Sequence, residues 1–146
     1  ANLTKRLMKS PKLLMTDTGL MAHLLGVGGE DDLPVHSPLT GPLLEVFAVQ
    51  ELQRQSTWSA SQPRLYHLRV QTGHEVDLVM EDHRGHLVGV GVKAAATARA
   101  DDFRGLRFLQ EQLGERFVRG VVLYTGRETV PFGERLHAVP MEALWG

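Results

Sequence analysis

Four carboxylates and one ammonium fall within one short stretch, GHEVDLVMEDHRGHLVGVGVKAAA, which runs from Gly73 to Ala96, and Glu75, Asp77 and Lys93 are those whose spacing could do chemistry. Residues two apart on a strand share a face, so Glu75 and Asp77 would point the same way. The stretch reads as two strands, Glu75–Asp82 and Leu87–Lys93, joined by the three-residue loop His83-Arg84-Gly85 with Gly85 left-handed. That loop sets Asp82 against His86, Asp77 against Gly91 and Glu75 against Lys93. Glu75, Asp77, Val79, Leu87, Gly89, Gly91 and Lys93 then share one face, and Val76, Leu78, Met80, Val88, Val90 and Val92 share an apolar one. Opposed Cβ atoms lie about 5 Å apart. Acids and a lysine so placed can hold a divalent metal and orient an attacking water. The same spacing also describes a Glu75–Lys93 ion pair on a solvated face, and spacing alone favours that plainer reading.

A further carboxylate comes from the strongest helical stretch, TGPLLEVFAVQELQRQ, which begins at Thr40. Thr40 fits an N-cap and Pro42 suits the first turn. At about 100° per residue, Glu45 falls between Val49 and Leu52 with Ala48 close by, while Gln50 and Arg54 lie opposite. A carboxylate on an apolar face needs a cation, a metal or strong donors, unless its head reaches solvent.

The elements that must position these groups alternate. RLYHLRV (Arg64–Val70) precedes the two strands. TARADDFRGLRFLQEQLG follows, with Asp101 as the expected cap and Phe103, Leu106, Leu109 and Leu113 as a buried stripe. RFVRGVVLYTG and RLHAVP read as strands, and MEALW as a short helix-like tail. Strands alternating with helices predict an α/β fold, a mixed central sheet flanked by helices. Upstream, Ala1–Lys12 reads as a basic linker or a phosphate-binding arm. A helix capped by Thr16 or Asp17 runs to Leu25 with Gly26 as its stop, and Gly26–Pro38 is a loop.

Composition sets the outer bounds. The chain has 146 residues, 42% hydrophobic and 23% charged, which suits one domain with one core. Its net charge of -1 gives no global basic field for nucleic acid. Arg99, Arg104 and Arg107 cluster around one predicted helix and can contact phosphates, although Asp101, Asp102 and Glu111 dilute them. There are no cysteines, so disulfides, thiolate zinc sites and cysteine nucleophiles are excluded. No apolar run approaches the roughly 18–20 residues of a membrane span. A cytoplasmic location is the expectation, and an oligomer is open. The start, ANLTKRLMKSPK, lacks an initiating Met and reads as part of a longer chain.

Other constellations carry less. His83 and His86 flank a turn, and His74 sits at the far end of its strand, without zinc spacing. His67 and His137 read as core-edge residues. A lone TDTG (Thr16–Gly19) lacks the second aspartate of a protease dyad. GVGG (Gly26–Gly29) lacks a phosphate-loop lysine, so ATP would bind elsewhere than on this chain.

Taken together, SPKLLMTDTGLMAHLLG, GPLLEVFAVQEL, GHEVDLVME, LVGVGVKA, GVVLYTG and AVPMEALW resemble, in order and over nearly the whole chain, a family of uncharacterised domains. Those domains are found C-terminal to AAA-type ATPase modules in bacteria and archaea. That family is similar to the restriction-endonuclease-like PD-(D/E)xK fold. The resemblance implies a helix acid at Glu45, a strand acid at Asp77 and a lysine at Lys93, with Mg²⁺ on the acids; Glu75, two residues before Asp77 on the same face, is an alternative ligand that could stand in for a missing acid. It also implies an ATPase partner in the same full-length chain, which would carry the ATP. The second strand acid maps onto Gly91, which supplies no carboxylate. Three expectations follow: a degenerate nuclease-like domain binding nucleic acid or protein, an active Mg²⁺-dependent nuclease, or a pure interaction or oligomerisation domain.

Overall fold

The computed structural model describes residues 38–69 and 72–145. The basic stretch Ala1–Lys12, the helix ending at Leu25 and nearly all of the Gly26–Pro38 loop lie outside the described residues.

Helix α1 spans Thr40–Trp58. Thr40, expected as the cap, is instead the first helical residue, and Leu39 stands at the cap position without a side-chain cap bond. Pro42 falls in the first turn, where a missing N–H costs no intrahelical bond. Leu43, Val46, Ala48 and Val49 are buried. Ser59 ends the helix in extended conformation, its N–H on the carbonyl of Ser56.

Six strands follow: β1 (Arg64–Arg69), β2 (Glu75–Glu81), β3 (Leu87–Lys93), β4 (Phe117–Tyr124), β5 (Val130–Gly133) and β6 (Leu136–Pro140). They form one mixed sheet in the order β1-β2-β3-β4-β6-β5. The first three make an antiparallel meander. A parallel neighbour needs a crossover connection, and the turn Ala100–Phe103 with helix α2 (Arg104–Leu113) supplies it between β3 and β4. Strand β6 is parallel to β4, and β5 closes that edge antiparallel. The tail Met141–Trp145 is a 3-10 turn.

The two helices cover opposite faces. Phe103, Leu106, Leu109 and Leu113, the expected stripe, pack with Val76, Val79, Leu87, Phe117 and Val122. Ala48 and Val49 of α1 pack with Leu78, Val90, Leu123 and Met141. Gly89 lets α2 approach: a Cβ there would meet Leu106 Cδ2 at 2.6 Å. Asp101 is not the cap of this crossover. Asp102 accepts the Arg99 N–H at 2.8 Å, because the chain enters α2 through a 3-10 turn, Ala100–Phe103, whose cap position is Arg99, two residues before the expected cap.

The β2–β3 turn forms as expected. Gly85 has φ 84°, and the register runs from Glu81–Leu87 to Leu78–Val90. Asp82 accepts the N–H of Arg84 at 2.8 Å and of His86 at 2.9 Å. The expected division of faces holds only in part. Tyr66 pairs with Val79 but Leu68 with Val76, so β2 carries one residue more than β1 across this step. This β-bulge sends Val76 to the same apolar cluster as Val79, whereas alternation had placed it with Leu78 and Met80.

Candidate metal centre

Beyond Leu78 and Val90 the β2–β3 ladder stops. Asp77 lies at this fork, and its Oδ2 accepts the Val92 N–H at 2.7 Å. Two residues earlier on the same strand stands Glu75, across from Arg69 in β1 rather than in a ladder with Lys93. Half-buried Glu45 comes down from α1. Each of the three offers a carboxylate oxygen, and these oxygens all lie within 4.8 Å of one another. No other set of three or more metal-ligating side chains gathers among the described residues. One helix turn and one bulged strand thus converge like charges that sequence spacing alone assigned to two separate elements.

Hard oxygen donors suit Mg²⁺, Mn²⁺ or Ca²⁺. The donor set fits such an ion in kind: three carboxylates converge, although one oxygen of Asp77 already accepts a backbone N–H. The fourth expected acid is missing. A Cβ at Gly91 would meet Val122 Cγ2 at 3.6 Å and Asp77 Oδ2 at 4.0 Å, both ordinary contacts. Gly89, Gly105 and Gly120 differ, since a Cβ at each comes within 2.6 Å of a neighbour. Packing therefore explains those three glycines and does not explain Gly91.

Lys93 has a different partner from the one expected. Its Nζ lies 3.2 Å from Asp102 Oδ1, at the entry to α2. The same carboxylate that caps the turn thereby holds the ammonium. A cleft of about 190 Å³ opens beside Glu75, bounded by His74, Asp102 and Arg104. Arg104 and Arg99 are exposed, and Arg104 Nε is 3.7 Å from Asp101 Oδ1. Arg107 is half-buried and donates to the Phe132 carbonyl at 2.7 Å, tying α2 to β5. Of the three arginines expected to meet phosphates, two thus stand on the surface near the cleft's entry helix and one braces the fold.

His67 lies opposite the bulge and was not expected near the acids. Its Nδ1 is 3.2 Å from the Asp77 carbonyl, and its Nε2 is 3.5 Å from Glu75 Oε1. No sequence signal marks it, because its neighbours depend on the extra residue in β2. Elsewhere, Glu51 is buried on α1, and hydrogen bonds from Arg54 and then Gln55 hold its carboxyl below the usual value. His83 and His86 stay at the turn, with His86 Nδ1 3.2 Å from Asp82, and His137 is half-buried in β6.

No helix among the described residues is long and apolar enough to cross a membrane. The family described as "Domain of unknown function (DUF4143)" matches residues 40–144. An uncharacterized protein of Mycobacterium bovis and one of Mycobacterium tuberculosis are each 31% identical to this chain over 145 residues. The match takes in 99% of the chain but about 30% of each relative's own length. No solved structure matches.

Proposed function

The chain belongs to this family of domains of unknown function, and we propose that it is a restriction-endonuclease-like domain that keeps a cation site but lacks a full catalytic set. In this reading it docks nucleic acid for an AAA-type ATPase module of the same full-length protein rather than cutting it. The observation that carries the reading is Gly91. It sits beside Asp77 where a second acid is expected, with room for a Cβ and no packing reason to be glycine.

Glu45, Glu75 and Asp77 would hold the ion, which when bound supplies positive charge against a phosphate oxygen. The chain's own residues do the rest. Val92 N–H fixes one Asp77 oxygen. Lys93, which would steer a water in an active enzyme, is drawn to Asp102 instead. Arg99 and Arg104 are exposed and can meet backbone phosphates. The ATPase partner rests on the resemblance of the sequence, and the greater length of the two relatives leaves room for such a module in them.

Plasmid cleavage and DNA binding with Mg²⁺ or Mn²⁺ test this, comparing the chain with Asp77→Ala and Gly91→Glu. The expected result is binding without cleavage in the unmodified chain, and cleavage gained in Gly91→Glu. A second reading, an active nuclease in which Glu75 replaces the missing acid, is favoured by the convergence of three carboxylates. Cleavage by the unmodified chain that Asp77→Ala abolishes would establish it in place of the first. Failure of every form to bind nucleic acid would leave the interaction-domain reading.

A further inference from the structure

The three carboxylates come from two elements, and like charges repel. Something must hold β2 in the shape that brings Glu75 and Asp77 up to Glu45. Strand alternation does not do it, because the β2–β3 ladder has already ended. The bulge does, and a bulge leaves a backbone group without a ladder partner. We propose that His67 is the positioning residue of the carboxylate cluster, pinning the bulge through the Asp77 carbonyl and facing Glu75 with its other nitrogen.

Three observations support this. His67 stands on β1 between Tyr66 and Leu68, the two residues across which the register shifts. A carbonyl only accepts, so the 3.2 Å contact with Asp77 O puts the proton on Nδ1. The remaining nitrogen, Nε2, is sheltered and makes no hydrogen bond, yet it lies 3.5 Å from Glu75 Oε1. The His67 side chain is 13% exposed against 42% for Glu75, so the ring is the fixed member of the pair. One side chain is thereby bonded to the backbone of one acid and stands beside a second. Groups hydrogen-bonded around metal ligands orient those ligands in the same way.

The inference rests on the cation-site reading only for its consequence, and its first test needs no metal. The Val92 amide reports on the Asp77 carboxylate, because it donates to Oδ2. Nitrogen-proton NMR of the metal-free chain should show His67 protonated on Nδ1. His67→Phe should displace the Val92 and Asp77 amide signals, while His67→Asn, whose side-chain N–H can still donate to the Asp77 carbonyl, should restore them towards the original positions. A Mn²⁺ titration should then show binding weakened about 10- to 100-fold in His67→Phe and less in His67→Asn. An Nε2-protonated, Nδ1-bare ring would overturn the proposal, even if His67→Phe does not fold. So would Val92 and Asp77 signals unmoved in a folded His67→Phe. If the unmodified chain takes up no Mn²⁺, the cation reading fails, and the amide signals still decide the role of His67.

Discussion

Gly89 and Gly91 stand two positions apart on β3, yet the molecule treats them differently. A methyl group at Gly89 meets Leu106 Cδ2 at 2.6 Å and Leu109 Cδ2 at 3.2 Å, so it must push α2 away. Gly89→Ala should lower stability by roughly 1–3 kcal/mol in denaturant unfolding, the usual cost of overpacking. Gly91→Ala should stay within about 0.5 kcal/mol of the parent in the same assay, as for an unconstrained site. Asp102 serves two groups at once, the Arg99 N–H and the Lys93 ammonium. Asp102→Ala should therefore cost about 1 kcal/mol through the lost cap, seen as a lower unfolding midpoint. At this scale the sequence pointed to the three acids that gather and was a poor guide to the partners of the residues around them. Glu45, Glu75 and Asp77 could be picked out by type and spacing. That Lys93 turns to Asp102 depended on where the 3-10 turn begins, a shift of two residues that propensity does not resolve.

Among the elements, the β2–β3 hairpin was the most legible. Its apolar runs, its three-residue loop and Gly85 all agreed, and the register came out as read from Glu81–Leu87 to Leu78–Val90, although the expected Glu75–Lys93 pairing did not form. The turn has a pH signature. Backbone N–H of His86, first, and of Arg84, together with the His86 ring, hold the Asp82 carboxyl below its ordinary value of 3.8. A lowered folded value means stability present above the unfolded pKa, near 4, and lost as pH falls through the lower folded one. Thermal unfolding between about pH 5 and pH 2 should show this acid loss, and Asp82→Asn should flatten that part of the curve. The β1–β2 pair was the least legible, because a bulge is a mismatch between two strands and neither sequence contains it alone. Val76 and Leu78 are both apolar, so either could have faced α2. Helix α2 itself was plain from its stripe, and Leu109→Ala, at a residue 1% exposed, should cost about 2–5 kcal/mol in denaturant unfolding.

For the whole molecule, the alternation of helices and strands predicted a mixed sheet between helices, and that is the architecture found. Strand order was not predicted, since it depends on which edge the crossover reaches and on β5 folding back outside β6. The near-neutral charge sets what docking can look like. With a net charge of -1, attraction to a phosphate backbone must be local, and with few phosphate contacts it should be weak and have a shallow salt dependence. Arg104→Ala should lessen the slope of log affinity against log salt by about one, measured by fluorescence anisotropy on a short duplex. Arg107→Ala should lower stability instead, because that side chain is spent on the Phe132 carbonyl. The open space at Gly91 also has a meaning for inheritance. Every glycine codon lies one base change from a codon for aspartate or glutamate, and packing raises no barrier to the new Cβ. An acid at this position is thus among the most accessible changes the gene can make, and it would reach selection as altered chemistry rather than as a failure to fold.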